Sequence, residues 1–133
     1  MVLKMKILLF ILSLAFISCN DETPQGQNEP IYGTWNLIKV TAGFSPIEEF
    51  TEDQIVWEFN SQKLLFVTIN TELSESSNIT LRENGEYDFE IIDENIIRIN
   101  DNEYNYFLLE KGKLIISFEE ASDGPRMEFI KAN

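Results

Sequence analysis

Apolar and polar residues alternate with a period of two along much of the chain after residue 30. In the segment "IVWEFN", Ile55, Trp57 and Phe59 occupy one face and polar or smaller residues occupy the other. The segment "EYDFEI" repeats the pattern, with Tyr87 and Phe89 on one face. A strand with one buried face has this period. The pattern therefore predicts an all-β domain.

Segments of this kind predict eight strands, over residues 33–40, 54–60, 63–70, 85–92, 95–100, 103–110, 113–119 and 126–131. Most of them are separated by short connections rich in Asp, Asn and Gly, which favour tight turns. Residues 78–83, just before Asn84-Gly85, leave a ninth short strand open as an alternative. No connection is long enough for a series of crossover helices, so we predict an antiparallel meander.

Closure into a barrel would remove the exposed edges of these eight strands. The tripeptide Gly33-Thr34-Trp35, followed in order by "IVWEFN", "GEYDFEI", "IIRIND" and "KLIISFEE", resembles the small bacterial lipocalin-like lipoprotein domain. The resemblance implies an eight-stranded antiparallel up-and-down barrel over residues 31–131. Trp35 suits the closed end of such a barrel, and Gly33 permits close approach of the incoming chain. The resemblance also implies that a late arginine, here Arg126, packs across Trp35.

The connection over residues 41–53 carries the pattern of a short helix. Ser45 can cap its start, Pro46 suits the first helical position, and Glu48 follows the cap by three residues, as in a capping box. Ile47 and Phe50 would share one side of this helix. We therefore expect a short helical lid over one end of the barrel.

Residues 1–18 have the pattern of a secretory signal peptide, with Lys4 and Lys6 before an apolar run too short to span a bilayer. The sequence "FISC", ending at Cys19, resembles a bacterial lipobox. The resemblance implies cleavage before Cys19, a diacylglyceryl thioether on its sulfur and a fatty acyl chain on the new amino group. Several acyl chains hold a protein durably at a membrane. A cysteine that merely belongs to a discarded signal is the alternative.

Residues 19–30 predict a flexible tether, because positions 20–28 hold no large apolar side chain. The acidic start after Cys19 resembles surface-export signals of lipoproteins in some Gram-negative phyla, and Asn20 differs from the Asp of the inner-membrane retention signal. We expect a lipid-anchored protein of the cell envelope, in the outer membrane and exposed at its surface. Acids that only solvate a linker are the alternative to surface export.

The chain carries 23 acidic and 10 basic residues, a formal net charge of −13. Loss of Lys4 and Lys6 with the signal leaves 8 basic residues against 23 acidic ones, a charge of −15. Such a field repels nucleic acid and anionic lipid headgroups. We expect neither as a direct partner of the domain, a membrane link through the N-terminal lipid only, and a monomeric domain.

Catalytic and metal chemistry find little support. The chain has no histidine, the commonest general base and nitrogen ligand, and its one thiol is predicted to be acylated. The adjacent acids Glu48 and Glu49 fall in a connection, where solvated acids are ordinary, and the acids near Asp101 and Glu103 lack the spacing of a calcium loop. We expect no enzyme, no cofactor and no metal site.

Two functional hypotheses remain. In the first, which the resemblance implies, the barrel binds a small apolar or amphipathic ligand, uncharged or cationic because an acidic surface disfavours anions. Its pocket would be covered by Phe44, Ile47 and Phe50 and lined by Trp57, Phe59, Tyr87 and Phe89. In the second, the inward rings, which would also include Phe66, Tyr106, Phe118 and Phe129, fill the short barrel. The protein would then be a displayed protein-interaction or inhibitor module.

Overall fold

The computed structural model describes residues 30–118 and 124–133, and within these ranges the chain forms nine β-strands and no helix. The strands are β1 (Gly33–Thr41), β2 (Glu48–Glu49), β3 (Ile55–Phe59), β4 (Leu64–Ile69), β5 (Gly85–Asp93), β6 (Ile96–Ile99), β7 (Asn102–Leu109), β8 (Lys113–Ser117) and β9 (Arg126–Lys131). The predicted signal peptide, Cys19 and all of the tether except its last residue lie outside the described residues.

Eight of these strands form a closed antiparallel barrel. Around the barrel they follow the order β1-β3-β4-β5-β6-β7-β8-β9, and β1 also pairs with β9. The closing ladder matches Trp35 with Lys131 and Thr41 with Arg126. The predicted all-β, eight-stranded up-and-down barrel is confirmed, with each barrel strand close to its predicted bounds.

The predicted helical lid is wrong. The segment that was expected to be helical contains β2 instead, which pairs with β1 through Lys39–Glu49 and Val40–Glu48. Only the first part of β1 pairs with β3, so the second part would otherwise present unpaired backbone groups on that side. Satisfying these groups outweighs the local helix preference of the capping sequence. The alternative of an additional short strand over residues 78–83 is also wrong, because that segment contains no strand. The strand beyond the eight of the barrel is β2.

Apolar side chains fill the barrel interior. The Trp57 ring lies 4.8 Å from that of Phe129 and 6.2 Å from that of Phe59, measured between centroids. Phe59 in turn contacts Phe89 edge to face at 5.0 Å. All four residues are at most 3% exposed, and side chains from each of the eight barrel strands pack around them. The interior is therefore a packed core.

Two of the rings predicted to point inward are exposed. Phe66 alternates along β4 with Leu65 and Val67, and it is the latter two that are buried. Phe118 follows the end of β8 and is also exposed, although its ring lies 5.6 Å from that of the buried Tyr104. The inward predictions for Tyr106 and Phe129 are confirmed.

The two ends of the barrel differ, and we name them by their connections. The closed end comprises residues 30–32 and the turns over 60–63, 94–95 and 110–112. The loop end comprises the connections over 42–54, 70–84 and 100–101. Because successive strands run in opposite directions, the two longest described connections both fall at the loop end.

Trp35 forms the floor of the closed end, as predicted. Its indole N–H donates to the Ile31 carbonyl at 2.8 Å, and both residues are buried. Gly33 has a φ of +125°, and a Cβ there would lie 3.3 Å from Cε of Lys131. This position needs glycine because an L side chain rarely adopts that φ and the space is taken.

The prediction that Arg126 packs across Trp35 is wrong. Arg126 is paired with Thr41, six residues along β1 from Trp35, or about 20 Å at ~3.3 Å per residue. Its guanidinium lies 3.5 Å from Glu128 Oε1 instead. The cation above Trp35 is Lys131, whose Nζ lies 5.4 Å from the ring centroid.

Candidate functional site

The residues predicted to line a ligand pocket lie mostly in the core. Trp57, Phe59 and Phe89 contribute to the packed ring cluster described above. Tyr87 is partly buried against the same core, and its hydroxyl donates to the Glu83 carbonyl at 2.9 Å. These four side chains therefore contact other parts of the protein rather than an open space.

The residues predicted to cover that pocket lie in a different environment. Phe44 is fully exposed and Ile47 is 58% exposed, whereas Phe50 is partly buried against the core. The structure thus separates the predicted set into core rings, one packed loop residue and two exposed apolar side chains at the loop end. It does not bring all seven together around one cavity.

Within the described part of the chain, one buried polar atom of the core has no hydrogen-bond partner. Nε1 of Trp57 makes no hydrogen bond to any described residue, although the residue is fully buried. Burial of an N–H without an acceptor costs about 1–3 kcal/mol in proteins. Trp35, its cross-strand neighbour in the β1–β3 ladder, has its N–H satisfied.

A small cavity of about 210 Å³ lies at the loop end, between the two longest described connections. It is lined by Ser45, Pro46, Glu48, Ser74, Ser76 and Asn78. Oε2 of Glu48 accepts the Asn78 backbone N–H at 2.9 Å, which joins the two connections. Arg82 donates to the carbonyls of Ser74 and Ser77, both at 2.7 Å, and so fixes the second connection. The sequence analysis did not identify this cavity.

The loop end is acidic. Its connections carry the carboxylates Glu48, Glu49, Glu52, Asp53, Glu72, Glu75, Glu83 and Asp101. Arg82 is the basic residue within the same connections, and its guanidinium donates to two backbone carbonyls. The exposed Phe44 and Ile47 therefore lie at an end of the barrel with a strongly negative field.

A second groove, of about 410 Å³, lies on the side of the barrel near the closed end. It is lined by Pro30, Glu94, Asn95, Tyr106, Phe107, Leu108 and Leu109. Phe107 and Leu109 point outward from β7 and are exposed. The groove begins where the described part of the chain begins, at Pro30.

The described part of the chain lacks two other kinds of feature. It contains no group of three or more Asp, Glu, Cys or His side chains placed to hold a metal ion. Nor does it contain a helix of sufficient length and hydropathy to cross a membrane.

The candidate site is thus the loop end, with two exposed apolar side chains, a small cavity between two linked connections, and a surplus of carboxylates. Its interpretation depends on this geometry and chemistry, since comparison of the sequence with protein-family models and with curated proteins found no match.

Proposed function

We propose that the chain is a lipid-anchored, lipocalin-like lipoprotein of the cell envelope whose loop end recognises a protein partner. The filled barrel carries this proposal. Trp57, Phe59, Phe89 and Phe129 occupy the space that a carrier would leave for its ligand. Recognition is then expected at the surface, and the proposal includes no catalytic step.

The chemistry of the loop end indicates the class of partner. Phe44 and Ile47 project from the connection over residues 42–54. Within this connection β2 pairs with β1, and Glu48 accepts a hydrogen bond from the backbone of the second connection. An exposed aromatic side chain on a segment that such contacts fix in place is a typical anchor in a protein interface. Because carboxylates surround it, the complementary surface would combine an apolar pocket with Lys or Arg side chains.

A photoreactive amino acid placed at position 44 in the host cell tests this surface. We expect a cross-link from position 44 to one protein, and none from position 66, where Phe66 is also exposed but lies on the barrel wall. Against that purified partner, Phe44→Ala should weaken binding by about tenfold, a usual loss for an aromatic anchor. The dissociation constant should also rise with salt. Equal cross-linking from both positions, or none, would contradict the proposal.

The lipid anchor is assigned to Cys19, at the surface side of the outer membrane. Cys19→Ala should abolish incorporation of radiolabelled fatty acid and move the protein from the membrane fraction to the soluble fraction. Ser18→Ala is a suitable control, because alanine is also accepted before a lipobox cysteine. A wild-type protein without acyl mass, or one that retains residues 1–18, would contradict the assignment.

Binding of a small apolar or amphipathic ligand inside the barrel is the second candidate function. One observation favours it, because an oxygen atom of such a ligand would give Nε1 of Trp57 the acceptor it lacks. Native mass spectrometry of the protein purified from its own host distinguishes the two candidates. A retained small molecule that is lost in Trp57→Phe would support the carrier, and an unliganded mass would support recognition at the loop end.

A further inference from the structure

Lysine side chains are concentrated at the closed end of the barrel. These residues are Lys63, Lys111, Lys113 and Lys131. Nζ of Lys63 donates to the Tyr32 hydroxyl at 3.0 Å, and Nζ of Lys131 lies above Trp35. The backbone N–H of Lys131 donates to the carbonyl of Gly112, between the other two lysines, at 2.8 Å. Lys131 is thus bonded to the turn between Lys111 and Lys113, and Lys63 lies in another turn at the same end of the barrel.

The charge of the chain is consequently divided between its ends. At the closed end the lysines are accompanied by the acids Asp93, Glu94 and Glu110, and Lys113 lies 3.9 Å from Glu128. At the loop end the carboxylates described above outnumber Arg82 and Arg126, the first residue of β9. The closed end is thus close to neutral with protruding ammonium groups, whereas the loop end is strongly negative. A net charge of −13 conceals this dipole.

The chain enters the barrel at the lysine-bearing end. Pro30 lines the side groove, and the Ile31 carbonyl accepts the N–H of the floor residue Trp35. Cys19 lies eleven residues before Pro30, a distance of at most about 40 Å along the chain. A lipid on Cys19 would therefore hold the closed end near the bilayer.

Exposed apolar groups lie at the same end. Leu109 is 48% exposed and Phe107 is 36% exposed, next to Pro30 in the side groove. Lysine ammonium groups beside exposed apolar side chains suit the interface between headgroups and acyl chains.

We propose that the closed end of the barrel lies against anionic lipid headgroups and that the loop end points away from the membrane. This inference rests on the lipid anchor proposed for Cys19. It differs from the expectation, based on net charge alone, that the domain makes no direct contact with lipid. An anionic surface attracts the lysines at short range and repels the acidic loop end, so both effects favour one orientation.

The test uses the acylated full-length protein, purified from membranes and placed in phosphatidylcholine vesicles with or without phosphatidylglycerol. A water-soluble amine-reactive ester labels the lysines, and peptide mass spectrometry gives the reactivity of each. Lys39, on the barrel wall opposite Glu49 and Glu128, is the internal reference. In anionic vesicles we expect the four closed-end lysines to lose about fivefold in reactivity relative to Lys39, the factor that corresponds to ~1 kcal/mol per lysine near such a surface. High salt should abolish the protection.

Lys111→Gln and Lys39→Gln form a matched pair, since each removes one charge from an exposed or half-exposed position. The first should reduce the protection of the remaining closed-end lysines, and the second should leave it unchanged. Protein that floats with both kinds of vesicle yet shows equal lysine reactivity in them would overturn the inferred orientation and leave the anchor intact. Protein that does not float with the vesicles at all would overturn the anchor, and the orientation with it.

Discussion

Trp35 and Trp57 offer a matched test of what a buried indole N–H contributes to stability. They are paired across the β1–β3 ladder, and both are at most 1% exposed. Nε1 of Trp35 donates to the Ile31 carbonyl, whereas Nε1 of Trp57 has no acceptor in the described part of the chain. Replacing each with Phe removes the N–H and part of the ring from two neighbouring buried sites, of which that of Trp35 provides an acceptor for the N–H.

The two substitutions should differ in their effect on the free energy of unfolding. Both leave a small cavity, for which we expect a common loss of about 1–2 kcal/mol. Trp35→Phe also leaves the buried Ile31 carbonyl without its donor, which adds about 1–3 kcal/mol. Trp57→Phe removes an unsatisfied donor. The resulting gain of about 1–3 kcal/mol offsets the loss of stability that its cavity causes. Trp35→Phe should therefore be the more destabilising of the two by about 2–6 kcal/mol.

Urea unfolding followed by far-ultraviolet circular dichroism measures the difference on the chain from Asp21 onward. The slope of free energy against urea should be unchanged in both variants, which shows that the unfolding transition is the same. In thermal unfolding, the Trp35→Phe midpoint should lie at least about 8 °C below that of Trp57→Phe, at ~4–8 °C per kcal/mol for a domain of this size.

Equal losses in the two variants, within about 0.5 kcal/mol, would refute this reasoning. A larger loss in Trp57→Phe would do the same. Either result would mean that Nε1 of Trp57 has an acceptor in solution, such as a buried water molecule.

Two further predictions concern the backbone at the closed end and a buried phenol. Gly33→Ala should lower the free energy of unfolding by more than about 1 kcal/mol, because of the positive φ and the contact with Lys131, whereas Gly85→Ala, where a Cβ meets only ordinary contacts, should be nearly neutral in the same urea assay. Burial raises the pKa of Tyr104 above its ordinary value, against an opposing effect of the Thr80 hydroxyl. The unfolded chain then releases this proton first, so the stabilisation should be complete below about pH 10 and fall as the pH rises further. The free energies of unfolding of wild type and Tyr104→Phe should therefore converge as the pH rises above about 10. A constant difference between the two proteins over this range would contradict the raised pKa of Tyr104.

Alternation along single strands predicted the barrel but not every face. In β3, Ile55, Trp57 and Phe59 alternate with polar or smaller residues, and these three were correctly predicted to share the inward face. In β4 both faces are largely apolar, and choosing Phe66 rather than Leu65 and Val67 reversed the strand. A shift of one residue exchanges the two faces of a strand, so an ambiguous pattern leaves its orientation open.

The candidate site depended on contacts that local patterns do not contain. The capping sequence at Ser45 favours a helix locally, but the free side of β1 at Lys39 and Val40 is paired by β2. The contact of Glu48 with the Asn78 backbone joins segments thirty residues apart. One part was accessible from sequence: in an antiparallel meander the first and third connections fall at the same end, so the two long connections had to be neighbours.

The ladder between β1 and β9 constrains the order in which the chain can fold. Trp35 pairs with Lys131, so the first strand of the barrel can complete its pairing only when the last strand is available. Until residue 131 is available, β1 and β8 are both open edges, and contacts between residues so far apart in sequence form slowly. A polypeptide that is threaded across a membrane from its N-terminus cannot close this barrel while its C-terminus is still on the other side. The pairing that closes the barrel thus also delays its closure until the whole chain has crossed, as the proposed export requires.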